Sequence, residues 1–315
     1  MELRMWLKGN LHTHTNHSDG DSSPSDVCQC YADKGYHFLS ITDHGTFVDP
    51  AQIHCENLIL IPGIELSTAS KQEPHLPLHV NGLGMNKQVK SESSETKAET
   101  LQNCIDAIVA AGGIAQVNHP NFHFALNKID ISNTKRARLL EVYNGHPQVC
   151  NEGDETHISV EELWDELLTD GVLLYGTAVD DSHHFKGEFR PERANPFRGW
   201  VCVRVRKPSV REILRGLATG DFYASTGVCL KDVFVEGWTY HVIIDPGNDT
   251  PTNRDAYITQ FIGDGGIILQ ETTSLYSTFN LREAGGARYV RAKVLGADGT
   301  KAWCQPRLVP EFWRK

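Results

Sequence analysis

Short apolar runs recur along the first 184 residues, and nearly every one closes on polar side chains. The opening run, "LRMWLKGNL", leads into His12 and His14. "HFLSITDH" ends at Asp43 and His44, "LILIPGIEL" carries Glu65, and "LPLHVNGLGM" carries His79. "GGIAQVNHP" closes on Asn118 and His119, and "ARLLEVYNGHP" on Tyr143 and Asn144. "GVLLYGTAVDDSHH" closes on Asp180, Asp181, His183 and His184. Bounded apolar runs of this length predict seven strands.

The segments between them read as helices. Residues 24–34 begin on a proline and stop at Gly35. Residues 97–111 space their apolar side chains near 3.6 and end at Gly112 and Gly113. Ser159 with Glu162, and Ser209 with Glu212, predict capping boxes, each opening a helix. The helix at 160–170 should end at Gly171. Strand–helix alternation predicts parallel pairing in a barrel or open α/β sheet. In barrels, chemistry gathers at the C-terminal ends of strands, where the polar groups of this chain recur. Beyond Gly227 the texture changes to alternation, β-branched residues and turn pairs such as Asp-Gly. A small all-β unit is expected over 228–315, leaving 1–227 as the larger domain.

Composition narrows the function classes. The chain has 315 residues and 40% hydrophobic content, enough to bury a core without staples. Its net charge of −10 argues against a stable nucleic-acid complex and against an anionic membrane surface. No run approaches the roughly 20 apolar residues of a membrane span, and "MELRMWLKGN" is too short and polar for a signal peptide. The eight cysteines show neither zinc-finger spacing nor a dense disulfide framework. Free thiols in a cytoplasmic protein are expected. Of the 15 histidines, only His241 lies beyond residue 185, so whatever they do belongs to the N-terminal part.

In an extended strand, residues two apart share a face, so His12 and His14 can point into one site. Asp19 sits between Ser18 and Gly20, a tight-turn context able to return a carboxylate to the strand end. Taken singly, such a group is more often a loop cap or a satisfied surface residue. Repetition at six strand ends of seven makes coincidence a poor account. The candidate ligands are His12, His14, Asp19, His44, Glu65, His79, His119, Asp181 and His183. Imidazole and carboxylate without thiolate suit Zn²⁺, Mn²⁺ or Fe²⁺ rather than a cysteine-based structural zinc. Nine donors are too many for one ion, so two or three divalent metal ions are expected, some bridged by a carboxylate. Clustered ions activate water near neutral pH and stabilise charge on a phosphoryl or carbonyl centre.

The motifs "HTHTNHSDG", "SITDHGT", "PGIELS", "HVNGLG", "VNHP" and "VDDSHH" resemble, in order and spacing over residues 6–227, the polymerase and histidinol phosphatase (PHP) superfamily. The opening "LKGNLHTHTNHSDG", the "GDFYASTG" after the last helix and the β tail resemble its carbaryl-hydrolase-like branch. The resemblance implies a distorted seven-stranded (β/α) TIM-like barrel with a trinuclear metal centre. It further implies three groups. His12, His14, Glu65 and Asp181 would hold one metal. Glu65 would bridge to a second, also held by His79 and His119. Asp19, His44 and His183 would hold a third.

Other residues are weaker candidates. Glu65 and Asp181 are expected to serve catalysis as well as ligation. His123 and His146 each follow an apparent strand end and are candidates for proton transfer or anion binding. His17, His184 and Arg198 are candidate substrate contacts, with exposed-loop or salt-bridge readings beside them. Asp43 is expected to orient a ligand histidine, while Asp180 is a neighbour of the "DSH" motif. Cys28 and Cys30 read as structural, and Trp200, Phe222 and Tyr223 as core. Loops 66–78, 121–137 and 184–198 are expected to set specificity. The expected function is a metal-dependent phosphoesterase acting on a small-molecule phosphate ester by metal-activated water. Alternatives are carbamate, amide or carboxylic ester hydrolysis at the same metals, or a metal-stabilised scaffold carrying a β binding module.

Overall fold

Each apolar run becomes at least one strand in the computed structural model, which describes residues 4–247 and 256–310. The first part of the chain comprises β1 (Met5–Asn10), α1 (Pro24–Asp33), β2 (Phe38–Ser40), β3 (Ile59–Ile61), β4 (Gly63–Thr68), β5 (Leu78–Leu83) and α2 (Lys97–Ala110). It continues with β6 (Ile114–Val117), α3 (Lys128–Ser132), β7 (Leu139–Asn144), α4 (Val160–Thr169) and β8 (Tyr175–Val179). Then come β9 (Trp200–Val205), α5 (Val210–Thr219) and β10 (Phe222–Ser225).

The helices form where spacing and caps agree. On α2, Leu101, Cys104, Ile105 and Ile108 are buried along one face, and on α4 Leu163, Trp164, Leu167 and Leu168 are. Ser159 and Glu162 make the expected reciprocal box, and Thr96 with Glu99 makes another that sequence reasoning passed over. Ser209 accepts from the Glu212 N–H, but the Glu212 carboxylate takes the Arg206 N–H instead of closing the box.

The run "LILIPGIEL", expected as one strand, is two. Pro62 has no N–H to give a ladder, and the chain changes sheets there. β3 pairs β2, whereas β4 opens a five-stranded sheet of order β4-β5-β6-β7-β8. Gly63 passes so close to β2 that a Cβ would collide with the Ile41 carbonyl oxygen. Pairing is not uniformly parallel either: β5 runs antiparallel to both β4 and β6.

The strands of the expected distorted seven-stranded barrel do not close among the described residues but lie in separate sheets. β1 pairs β2, and β4 to β8 pair in series, but the two arcs meet only through single bridges. One bridge joins Thr13 to Ser182, a second joins His44 to Glu65 and a third joins Val48 to Gly63. The first two lie among the candidate ligands. Widened seams leave room for side chains there that a continuous ladder would close.

After β10 the described residues form strands and short 3-10 turns, with no α-helix among them. They are β11 (Leu230–Glu236), β12 (Thr239–Ile244), β13 (Tyr257–Ile262), β14 (Ile268–Thr272), β15 (Tyr276–Asn280), β16 (Tyr289–Gly296), β17 (Lys301–Cys304) and β18 (Arg307–Leu308). The ladder crosses the expected boundary at residue 227, because β17 pairs β10, which pairs β9 and so reaches β1. A buried ion-pair network adds to that union. The Arg291 guanidinium on β16 donates twice to Asp165 on α4, at 2.6 Å each, and once to Glu161 at 2.8 Å. No helix among the described residues is long and apolar enough to cross a membrane, and all eight cysteines are free.

Candidate metal centre

The two bridge residues of the first seam explain the "HTH" and "DSH" motifs. Thr13 and Ser182 hydrogen-bond to each other through their hydroxyls at 2.6 Å. Alternation along the chain then directs their neighbours, His12, His14 and Asp181, to the opposite side. There the Nε2 atoms of His12 and His14 lie 3.1 Å apart. Asp181 Oδ1 is 3.2 and 3.1 Å from them, and Glu65 Oε2 is 3.4 and 3.3 Å away.

The second carboxylate oxygen of Glu65 faces other donors. Oε1 lies 3.1 Å from His79 Nδ1 and 3.5 Å from His119 Nε2, and those nitrogens are 3.2 Å apart. His79 reaches this end from the start of β5 because β5 runs against its neighbours. A third group stands beside the first. Asp19 Oδ2 is 3.4 Å from His183 Nε2 and 3.6 Å from His44 Nε2. His14 and His44 also belong to more than one convergent set of donors. His44 turns Nδ1 to Glu65 Oε2 at 3.0 Å and Nε2 to Asp19.

These residues fit divalent cations. Glu65 Oε2 is buried and takes no hydrogen bond, although three imidazoles surround it. An orphaned anionic oxygen among nitrogen lone pairs is costly unless a cation sits between them. The electrostatics point the same way. Burial pushes the Glu65 carboxyl up, but His12, His79 and His119 outweigh it and hold it well below its usual range. For Asp181, burial is likewise outweighed by His12, His14 and His183. Burial opposes charge on His183 too, yet Asp19 and Asp181 bring its imidazole up to about 9.

Glu141, which sequence reasoning missed, organises the donors from behind. Its buried carboxylate accepts from His12 Nδ1 at 2.7 Å, from Gln116 Nε2, from the His119 N–H and from Asn144 Nδ2. A proton on His12 Nδ1 leaves the Nε2 lone pair for the cavity. Asn144 reaches on to Asp181 Oδ2, and Asn118 to Glu65 Oε1. The available signal was a lone carboxylate within the apolar strand "LLEVYN". His119 and Asp181 also adopt positive φ, 20° and 51°. Such strain persists only where surroundings over-determine it. Here the Asp181 N–H is held by the His12 carbonyl and the His119 N–H by Glu141.

The remaining candidates divide. His146 lines the same cavity, together with Phe122 and Gln148. Burial pushes its imidazole down to about 4. Gln148 N–H donates to its Nδ1, which leaves a proton on Nε2. His123 is exposed and packs on Phe122 without lining the cavity. His17 is exposed over a separate small hollow beside Phe47 and Asp49. His184 lies outside the cavity, in the field of Arg193 and Asp21. Arg198 lines an adjoining groove. Asp43 does not touch a histidine ring. It accepts from the Thr15 N–H and hydroxyl and from the Ser18 hydroxyl, fixing the turn that carries Asp19. His44 Nδ1 is met by the Ser67 hydroxyl instead, at 2.6 Å. Asp180 is buried and structural, taking the Tyr31 hydroxyl and the Arg198 and Gly199 N–H groups.

No family model matches the chain. No curated protein matches it. Among solved structures, an amidohydrolase from Chromobacterium violaceum with bound sulfate and no metal matches 60% of this chain and 94% of its own, at 16% identity and a TM-score of 0.40. A two-domain protein from Bacteroides vulgatus, containing a predicted PHP-like metal-dependent phosphoesterase, matches 97% of this chain and 95% of its own at 14% identity, with a TM-score of 0.50. The chain thus shares a fold with that two-domain protein over nearly its whole length.

Proposed function

We propose that the chain is a metal-dependent hydrolase of the PHP superfamily, acting on phosphate esters. The observation that carries this is Glu65, whose two oxygens face two separate groups of imidazoles while one of them is buried without a hydrogen bond. The Bacteroides vulgatus protein that shares this fold is described as containing a predicted PHP-like metal-dependent phosphoesterase, which supports this reading.

Bound there, divalent ions supply an activated water and a concentrated positive charge that stabilises anionic oxygens. The residues of the chain do the rest. Glu65 and Asp181 would supply the negative charge that holds the cations. His12, His14, His79 and His119, together with Asp19, His44 and His183, would supply the remaining ligands. Glu141 keeps His12 in the tautomer that presents Nε2. His146 lines the same cavity with its Nδ1 taken by the Gln148 N–H, and its remaining nitrogen is assigned here to donate to a substrate oxygen. Phosphate esters match the charge of such a centre better than a neutral carbamate, because phosphoryl transfer depends chiefly on positioning and electrostatic stabilisation. The test is a panel of phosphomonoesters, phosphodiesters, aryl carbamates and carboxylic esters with Mn²⁺, Zn²⁺ and Fe²⁺ in turn. Turnover of a phosphate ester, competed by inorganic phosphate, is expected. Efficient carbamate or ester cleavage with phosphate esters untouched would replace this reading by carbonyl hydrolysis.

A further inference from the structure

A groove of about 580 Å³ adjoins the cavity that holds the donor cluster. His146 lines both, so the two spaces meet at its ring. The groove has two kinds of wall. One is apolar, built from Pro147, Pro196 and Phe189, a residue 45% exposed. A large apolar ring left in water beside a reaction centre offers area that a ligand can cover.

The other wall is Arg198. Its Nη1 donates to the Gly145 carbonyl and its Nη2 to the Arg190 carbonyl, each at 2.7 Å. These bonds fix the guanidinium without neutralising it. Asp180 accepts the main-chain N–H of Arg198, not its side chain. Arg190, on the same groove, is paired with Glu188. Arg198 is therefore a positioned cation, half-buried, whose side-chain partners are uncharged. A guanidinium so placed favours an anion brought by a ligand.

We propose that this groove is the leaving-group subsite of the enzyme, and that it takes a flat aromatic group carrying a second anionic substituent, such as a carboxylate. The proposal rests on the phosphoesterase reading above. The reacting ester lies at the donor cluster, the aromatic body lies along Phe189 and the prolines, and the distal anion meets Arg198. Loop 184–198, which supplies Phe189, Pro196 and Arg198, is anchored for this task. Asp21 accepts the Phe185 and Lys186 N–H groups, and Asn195 holds the His184 carbonyl.

The experiment compares phenyl phosphate with 4-carboxyphenyl phosphate on metal-replete protein. A preference of about tenfold in kcat/KM for the carboxylated ester is expected, as for one charge-assisted hydrogen bond. In Arg198→Gln the ratio falls toward one, while Arg198→Lys retains part of it. Phe189→Ala raises KM for both esters more than it lowers kcat. Equal turnover of the two esters by the wild type overturns the groove assignment alone, as does an unchanged ratio in a folded, metal-loaded Arg198→Gln. If neither ester is cleaved, the phosphoesterase reading fails instead. The groove is then judged by equilibrium binding of 4-hydroxybenzoate against phenol. Tighter wild-type binding of 4-hydroxybenzoate, equalised in Arg198→Gln, supports it, and equal wild-type binding overturns it.

Discussion

His12 Nδ1 and Glu141 Oε1 lie 2.7 Å apart, both side chains wholly buried. That contact sets which nitrogen of His12 faces the cavity, and the same carboxylate anchors the strained backbone of His119. Glu141→Gln preserves the shape but puts an amide where a carboxylate accepts from several donors. Metal affinity should fall about 10- to 100-fold, the range seen when such supporting partners are lost. A chelator-competition titration measures this directly. Unchanged affinity in a folded variant would leave Glu141 with a packing role only.

The Arg291 network predicts a stability effect independent of the metals. Arg291→Met leaves the buried Asp165 carboxylate without its cation and removes one of the two cations on Glu161, and should cost about 3–5 kcal/mol. A Tm loss in that variant larger than in Lys301→Met is the expected result. Lys301 pairs with Glu152, which is exposed, so its loss should cost under about 1 kcal/mol.

The same network fixes a pH dependence. Burial pushes the Glu161 carboxyl up, but Arg291 and Lys293 outweigh it and bring it from 4.5 down to about 2. A carboxyl with a lowered folded-state value stabilises fully above its unfolded value and loses that contribution as pH falls through the folded one. The stability gap between wild type and Glu161→Gln should therefore be widest above pH 4.5 and close as pH falls toward 2. A gap that is constant across this window, read from denaturant midpoints, contradicts the ion-pair account.

His146 supplies a prediction about chemistry. It faces the donor cavity but belongs to none of the convergent donor groups. His146→Ala should keep its metal content and lose roughly 100-fold or more in kcat, the usual scale for a positioned proton donor. Loss of metal together with activity would instead make it part of the metal-holding set.

Much of the site was legible because its signals are local. The i, i+2 spacing of His12 with His14, and of Asp181 with His183, needs only the alternation of a strand to place side chains together. α1, α2 and α4 were legible from proline, glycine and cap positions. The rest depended on pairing between distant segments. Nothing in "LPLHVNGLGM" says that β5 runs backwards, and that reversal is what brings His79 to the donors. The break at Pro62 reads locally as a kink, yet its consequence is a change of sheet. Glu141 looked like an interruption in an apolar strand, because its partners lie 129, 25 and 22 residues away in the chain. The union of β17 with β10 joins segments that composition alone separates.

The central claim is that Glu65 stands between two bound cations, and elemental analysis of metal-replete protein tests it most directly. The account predicts two or three first-row divalent ions per wild-type chain, and loss of at least one in Glu65→Gln with the fold retained by circular dichroism. A wild-type chain holding one ion or none, or a Glu65→Gln variant with full metal content, would contradict it.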